Sequence, residues 1–153
     1  MAAATVLIVA ACTTATERSA SAPTAQSRWA WVATRACQRM QDEISSRGSA
    51  YWESLNVNRP GRITALLRRD LLGIHTRGLR FLRSHAPSPT RAEAHALALY
   101  ERMLVSIRRV VAAASRGNAR AYYAADIRMR LLIQQTREAF DHEGVDHICS
   151  FAI

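Results

Sequence analysis

The chain is 153 residues long and carries 21 basic against 12 acidic residues, a formal net charge of +9. Every one of the 21 cations is arginine. With 49% apolar residues the composition is that of an ordinary globular domain, and the length suits one core rather than two once a polar stretch near the start is set aside.

Met1 to Ala11 is apolar apart from Thr5. As a helix this run spans only about 16 Å, half the hydrocarbon core of a bilayer, so it is no transmembrane anchor. A short apolar stretch ending in small residues reads as an export signal over 1–11, although no Lys or Arg precedes Val6. Val9-Ala10-Ala11-Cys12 resembles the lipobox of bacterial lipoproteins, and the resemblance implies that Cys12 is lipidated and becomes the mature N-terminus. Residues 12–27 continue as Ser, Thr, Ala and Pro with one charge of each sign. They are too polar to build a core and read as a tether, leaving 28–153 as the folded domain.

No period-2 runs of Val, Ile and Thr compete with the alanine-, leucine- and arginine-rich patterning, so the expected class is all-α. The first helix is expected over about 27–47, with Trp29, Ala33, Ala36, Cys37, Met40 and Ile44 on one face and Gly48 at its end. Trp29 and Trp31 cannot both face the core. A looser stretch with Tyr51 and Trp52 follows. Pro60 opens a second helix reaching about Ser84, where Pro87 and Pro89 forbid its extension. Its expected core face holds Ile63, Leu67, Leu71, Ile74, Phe81 and Leu82, and a break at Gly73 would raise the helix count.

Thr90 with Glu93 spells a capping box at the start of the third helix, whose stripe is Leu97, Tyr100, Leu104, Ile107, Val111 and Ala114. Gly117 and Asn118 supply a stop and a new N-cap. The fourth helix then carries Tyr122, Ala125, Met129, Leu132, Thr136 and Ala139 or Phe140 to about Glu143. Long helices with short later connections pack best as an antiparallel up-and-down four-helix bundle.

Setting Cys12 aside for lipid leaves Cys37 and Cys149, a number that pairs in an oxidising compartment. A bridge closing so long a loop contributes about 4–5 kcal/mol in the chain-entropy picture. The antiparallel topology brings the end of the fourth helix beside the start of the first, and the tail after Glu143 is long enough to reach Cys37. Two unrelated buried thiols are the alternative. The lipobox, the tether, a cysteine in the first helix, the proline-punctuated middle and the closing Gly144-Val145-Asp146-His147-Ile148-Cys149 together look like small lipoproteins or secreted helical proteins of high-GC Gram-positive bacteria. That resemblance covers essentially the whole chain and carries no catalytic residues.

His142 and His147 stand five apart, not the four that places two zinc ligands on one helix face, so the metalloprotease motif is absent. A looser metal set of His142, Asp146 and His147 is the remaining metal candidate. No Gly-x-Ser-x-Gly elbow, phosphate-cradling loop or dinucleotide fingerprint occurs, and no cofactor is expected.

On the second helix Arg59, Arg62, Arg69, Arg77, Arg80 and Arg83 share one face, opposite the apolar one. Such a face attracts phosphates, acidic polymers or anionic lipid headgroups. A solvated face built by an arginine-rich genome would look the same. The expected role is therefore an exported, lipid-anchored, non-catalytic binding or structural module of the cell envelope, with the membrane and an anionic polymer or headgroups as partners. The alternatives are a cytosolic basic helical protein that binds nucleic acid through the same arginines, and a metal binder or enzyme with a site assembled across helices.

Overall fold

Residues 27–48 and 60–145 are described by the computed structural model. They form α1 (Arg28–Ser45), α2 (Arg62–His85), α3 (Arg91–Ser115) and α4 (Ala119–His142). The helices pack in chain order, α1 on α2, α2 on α3 and α3 on α4. The ring of Trp29 at the start of α1 meets that of Phe140 near the end of α4, with centroids 5.3 Å apart. This is the antiparallel four-helix bundle that the patterning implies. The signal and most of the tether, Arg59, Cys12, Asp146, His147 and Cys149 lie outside the described residues.

Local chemistry sets each boundary. Ser27, read above as the end of the tether, belongs to the fold: its hydroxyl accepts from the Ala30 amide at 3.0 Å and caps α1. Thr90 and Glu93 form the reciprocal capping box, the Thr90 hydroxyl accepting from the Glu93 amide at 3.2 Å and Glu93 Oε2 accepting from the Thr90 amide at 2.6 Å. Glu93 also accepts from Ser27 Oγ at 3.2 Å, so one carboxylate ties together the starts of α1 and α3.

Between α3 and α4, Gly117 takes φ 63°, which an L side chain rarely adopts. That turn lets the Asn118 amide donate to the Ala113 carbonyl at 3.1 Å, a Schellman stop. Asn118 Oδ1 then accepts from Ala121 and starts α4. The same stop ends α4, with Gly144 at φ 74° and the Val145 amide donating to the Phe140 carbonyl at 3.1 Å.

The core follows the expected stripes of α1, α3 and most of α4. Trp29 is buried while Trp31 is 53% exposed, with the Arg35 guanidinium 5.4 Å from its ring centre. α2 runs unbroken through Gly73. Its face departs from expectation at Ile63, which is 71% exposed. Arg47, just past α1, reaches only as far as Asp70, and Ile63 lies two turns farther out.

Gly78 is buried where α2 crosses α1. A methyl group there would collide with the Met40 side chain, the sulfur first and then Cγ, so Met40 would have to leave its packed rotamer. Met40 Sδ is also held 3.0 Å from the Tyr100 hydroxyl. Gly78→Ala is therefore expected to lower stability by about 1–3 kcal/mol despite alanine's better helix propensity. Denaturant unfolding of the two proteins side by side checks it.

Candidate functional site

Starting with the outer face of α2, the structure sorts the expected arginines into two groups. Arg77 pairs with Glu43 of α1, and Arg83 with Glu101 of α3. Glu43 is shared with Arg47, which also donates to both Asp70 oxygens at 3.0 and 3.2 Å. These arginines are part of a surface ion-pair lattice that straps α2 to its neighbours. Arg62, Arg69 and Arg80 are exposed and have no ion pair or hydrogen bond among the described residues. They occupy one side of α2 over about 27 Å of axis. The only acid in α2, Asp70, is engaged by Arg47. The face therefore presents a row of uncompensated guanidinium groups to solvent.

Sequence reasoning missed Arg68, the chain neighbour of Arg69, about 100° round the same helix. It is 1% exposed, deeper than most leucines of the core. Its Nη2 lies 3.6 Å from Oδ1 of Asp126 on α4, itself 3% exposed. Asp126 Oδ2 accepts from Arg130 Nε at 2.8 Å, and Arg130 leads out to solvent. The Arg68 side chain also hydrogen-bonds the buried Tyr122 hydroxyl. Burial raises the pKa of that hydroxyl, against the pull of the adjacent Arg68 charge. Arg68 Nε and Nη1 have no hydrogen-bond partner.

A second buried polar group sits nearer the middle of α2. His75 is 1% exposed, with its Nδ1 3.3 Å from the Tyr100 hydroxyl. That hydroxyl lies 3.0 Å from the His75 carbonyl oxygen. Its single proton goes to the carbonyl, so it can accept from an Nδ1 proton. Burial lowers the His75 pKa to about 4 and raises that of Tyr100. Both are neutral at physiological pH. His75 Nε2 and Asp126 Oδ1, like the two Arg68 nitrogens, are buried without a hydrogen-bond partner, so both pairs are only partly satisfied polar groups held inside the core.

Of the metal candidates His142, Asp146 and His147, only His142 lies among the described residues. His142 is solvent-exposed with Glu143 at 3.6 Å, and no group of three His, Cys, Asp or Glu there is placed to hold a metal ion. Cys37 is buried in the core and disulfide-bonded. Among the described residues no helix is long and apolar enough to cross a membrane.

Two open surface depressions lie between α3 and α4. One depression of about 540 Å³ holds His95, Arg102, Glu138 and His142. A second, about 410 Å³, shares Arg102 and continues along the groove past Val105 to Arg109 and Arg128. No protein-family model, no curated protein and no solved structure matches the chain.

Proposed function

We propose that the chain is an exported, lipid-anchored, non-catalytic module of the cell envelope that docks on anionic surfaces through the outer face of α2. The observation that carries this reading is the row of Arg62, Arg69 and Arg80, exposed and unpaired on a helix whose only acid is engaged elsewhere. Guanidinium groups grip phosphate through paired N–H donors and are weakly hydrated, which suits headgroups and phosphodiester polymers. The lipobox-like Val9-Ala10-Ala11-Cys12 and the polar tether supply the anchor. In this reading Cys37 is bridged to Cys149. Its buried, disulfide-bonded state supports the pairing, as does the Schellman turn at Gly144 that redirects the chain beyond α4.

The test uses the full chain with Cys12→Ser, which removes the lipid and leaves every described helix intact. Sedimentation with vesicles of phosphatidylcholine containing phosphatidylglycerol should retain it, and pure phosphatidylcholine should not. Each arginine near such a surface contributes about 1 kcal/mol. Arg62→Gln, Arg69→Gln and Arg80→Gln combined should therefore weaken binding roughly 100-fold, and raised salt should weaken it further. Equal retention of the triple variant sinks the docking face. Tighter binding to duplex DNA than to vesicles, lost in the same variant, transfers the arginines to the nucleic-acid reading. For the anchor, intact mass from a Gram-positive host should show a diacylglyceryl species beginning at Cys12 with no alkylatable thiol. A full-length species with three free thiols overturns the anchor and the bridge together.

A further inference from the structure

We propose that the α3–α4 groove is a binding site for an amphiphilic phosphate ester, with the phosphate among Arg102, Arg109 and Arg128 and the apolar part on Val105 and Leu132. This site lies on different helices from the α2 face and does not depend on it. The groove has about 410 Å³ of space, enough for a phosphorylated glycerol unit and the first carbons of its chains.

Three features select the ligand chemistry. The first is uncompensated charge. Arg102, Arg109 and Arg128 have no ion pair or hydrogen bond among the described residues. Glu101, the one carboxylate lining this depression, is paired with Arg83 on the far side of α3.

The second is placement. Arg102 and Arg109 are two turns apart on α3, about 10 Å along its axis. Ser106 Oγ lies 3.5 Å from the Ala125 carbonyl, which fixes the antiparallel register. Arg128, one turn further along α4, therefore stands across the groove from the stretch between Arg102 and Arg109. A carboxylate offers two oxygens to such a set, whereas a phosphate monoester offers three terminal oxygens, one for each guanidinium.

The third is the floor. Val105 lies between the two α3 arginines and is 43% exposed, with Leu132 beside it. A purely ionic ligand would leave this apolar surface wet, so the site favours an anion with hydrocarbon attached.

Calorimetric titration of the full chain with Cys12→Ser tests the site. Dihexanoyl phosphatidic acid, kept below its micelle-forming concentration, should bind at least about tenfold more tightly than inorganic phosphate or dihexanoyl phosphatidylcholine. Arg109→Gln with Arg128→Gln, both surface changes that leave the core intact, should weaken it by about tenfold or more. Val105→Ser should erase the advantage over inorganic phosphate. The triple α2 variant should bind as the parent does, so failure of the α2 face and failure of this groove give different results. Undiminished binding in the Arg109→Gln, Arg128→Gln chain overturns the site. Inorganic phosphate binding as tightly as the amphiphile overturns the assigned ligand class.

Discussion

Asp126→Ala is expected to cost about 3–5 kcal/mol of folding stability, because it removes the counter-charge of a guanidinium that has no route to water. Arg68 is 1% exposed and two of its nitrogens lack a hydrogen-bond partner even with Asp126 in place. Removing Arg68 instead should be milder. In Arg68→Met the carboxylate of Asp126 keeps Arg130 at 2.8 Å, and Arg130 is itself half in solvent. Changing both, Arg68→Met with Asp126→Leu, fills the same volume with apolar groups and should return stability to within about 1 kcal/mol of the parent. A double-mutant cycle by denaturant unfolding, with Arg68→Met and Asp126→Leu as its two single variants, separates the pair's coupling from the cost of leaving one charge stranded. A loss below about 1 kcal/mol in Asp126→Ala would mean that water reaches Arg68 in solution. The pair joins α2 to α4, two helices that are not neighbours in chain order, so its geometry fixes their relative rotation. A close-packed apolar interior alone tolerates more than one such arrangement.

Most of the bundle was legible because its boundaries are written in residues with a single local use. Thr90 with Glu93 and Gly117 with Asn118 mark termini by hydrogen-bonding chemistry that does not depend on tertiary context. All six positions of the α3 stripe, Leu97 to Ala114, are buried as the period requires. Arg68 was missed for the opposite reason. Its helical position lies in the arc shared by Ala65, Leu71 and His75, yet its charge argued for solvent, and charged residues are almost never fully buried unless paired. The partner was readable only in pairs: Asp126 falls in the α4 core arc, one turn after Tyr122 and one before Met129. Two opposite charges on the core faces of two helices are the signal that spacing alone offers. Ile63 failed through tertiary context, since periodicity gives the direction of a side chain but not whether a neighbouring helix extends that far. The arginine face of α2 was placed correctly on the outside. Which of its members are consumed by Glu43 and Glu101 depends on the register between helices, which no single-helix pattern contains.

Acidification should reveal His75 as a destabilising titration confined to the interval between about pH 6.5 and 4. In the folded chain burial lowers its pKa to about 4, whereas in the unfolded chain it returns to about 6.5. Above pH 6.5 the ring is neutral in both states and makes no pH-dependent contribution. Between the two values the unfolded chain binds the proton and the folded chain does not, so stability rises with pH and falls as pH is lowered. Below about pH 4 both states are protonated and the loss levels off, at about 3 kcal/mol from this group. His75→Gln keeps a polar side chain near the Tyr100 hydroxyl and removes the titration. Unfolding free energies at pH 7 and pH 4.5 should drop by about 2 kcal/mol more in the parent than in His75→Gln. The other histidines and the carboxylates are common to both proteins and cancel in that difference. Parallel pH profiles would mean that the folded chain admits a charged His75, with the imidazolium finding an acceptor or water that the packing against Tyr100, at 3.3 Å, does not provide.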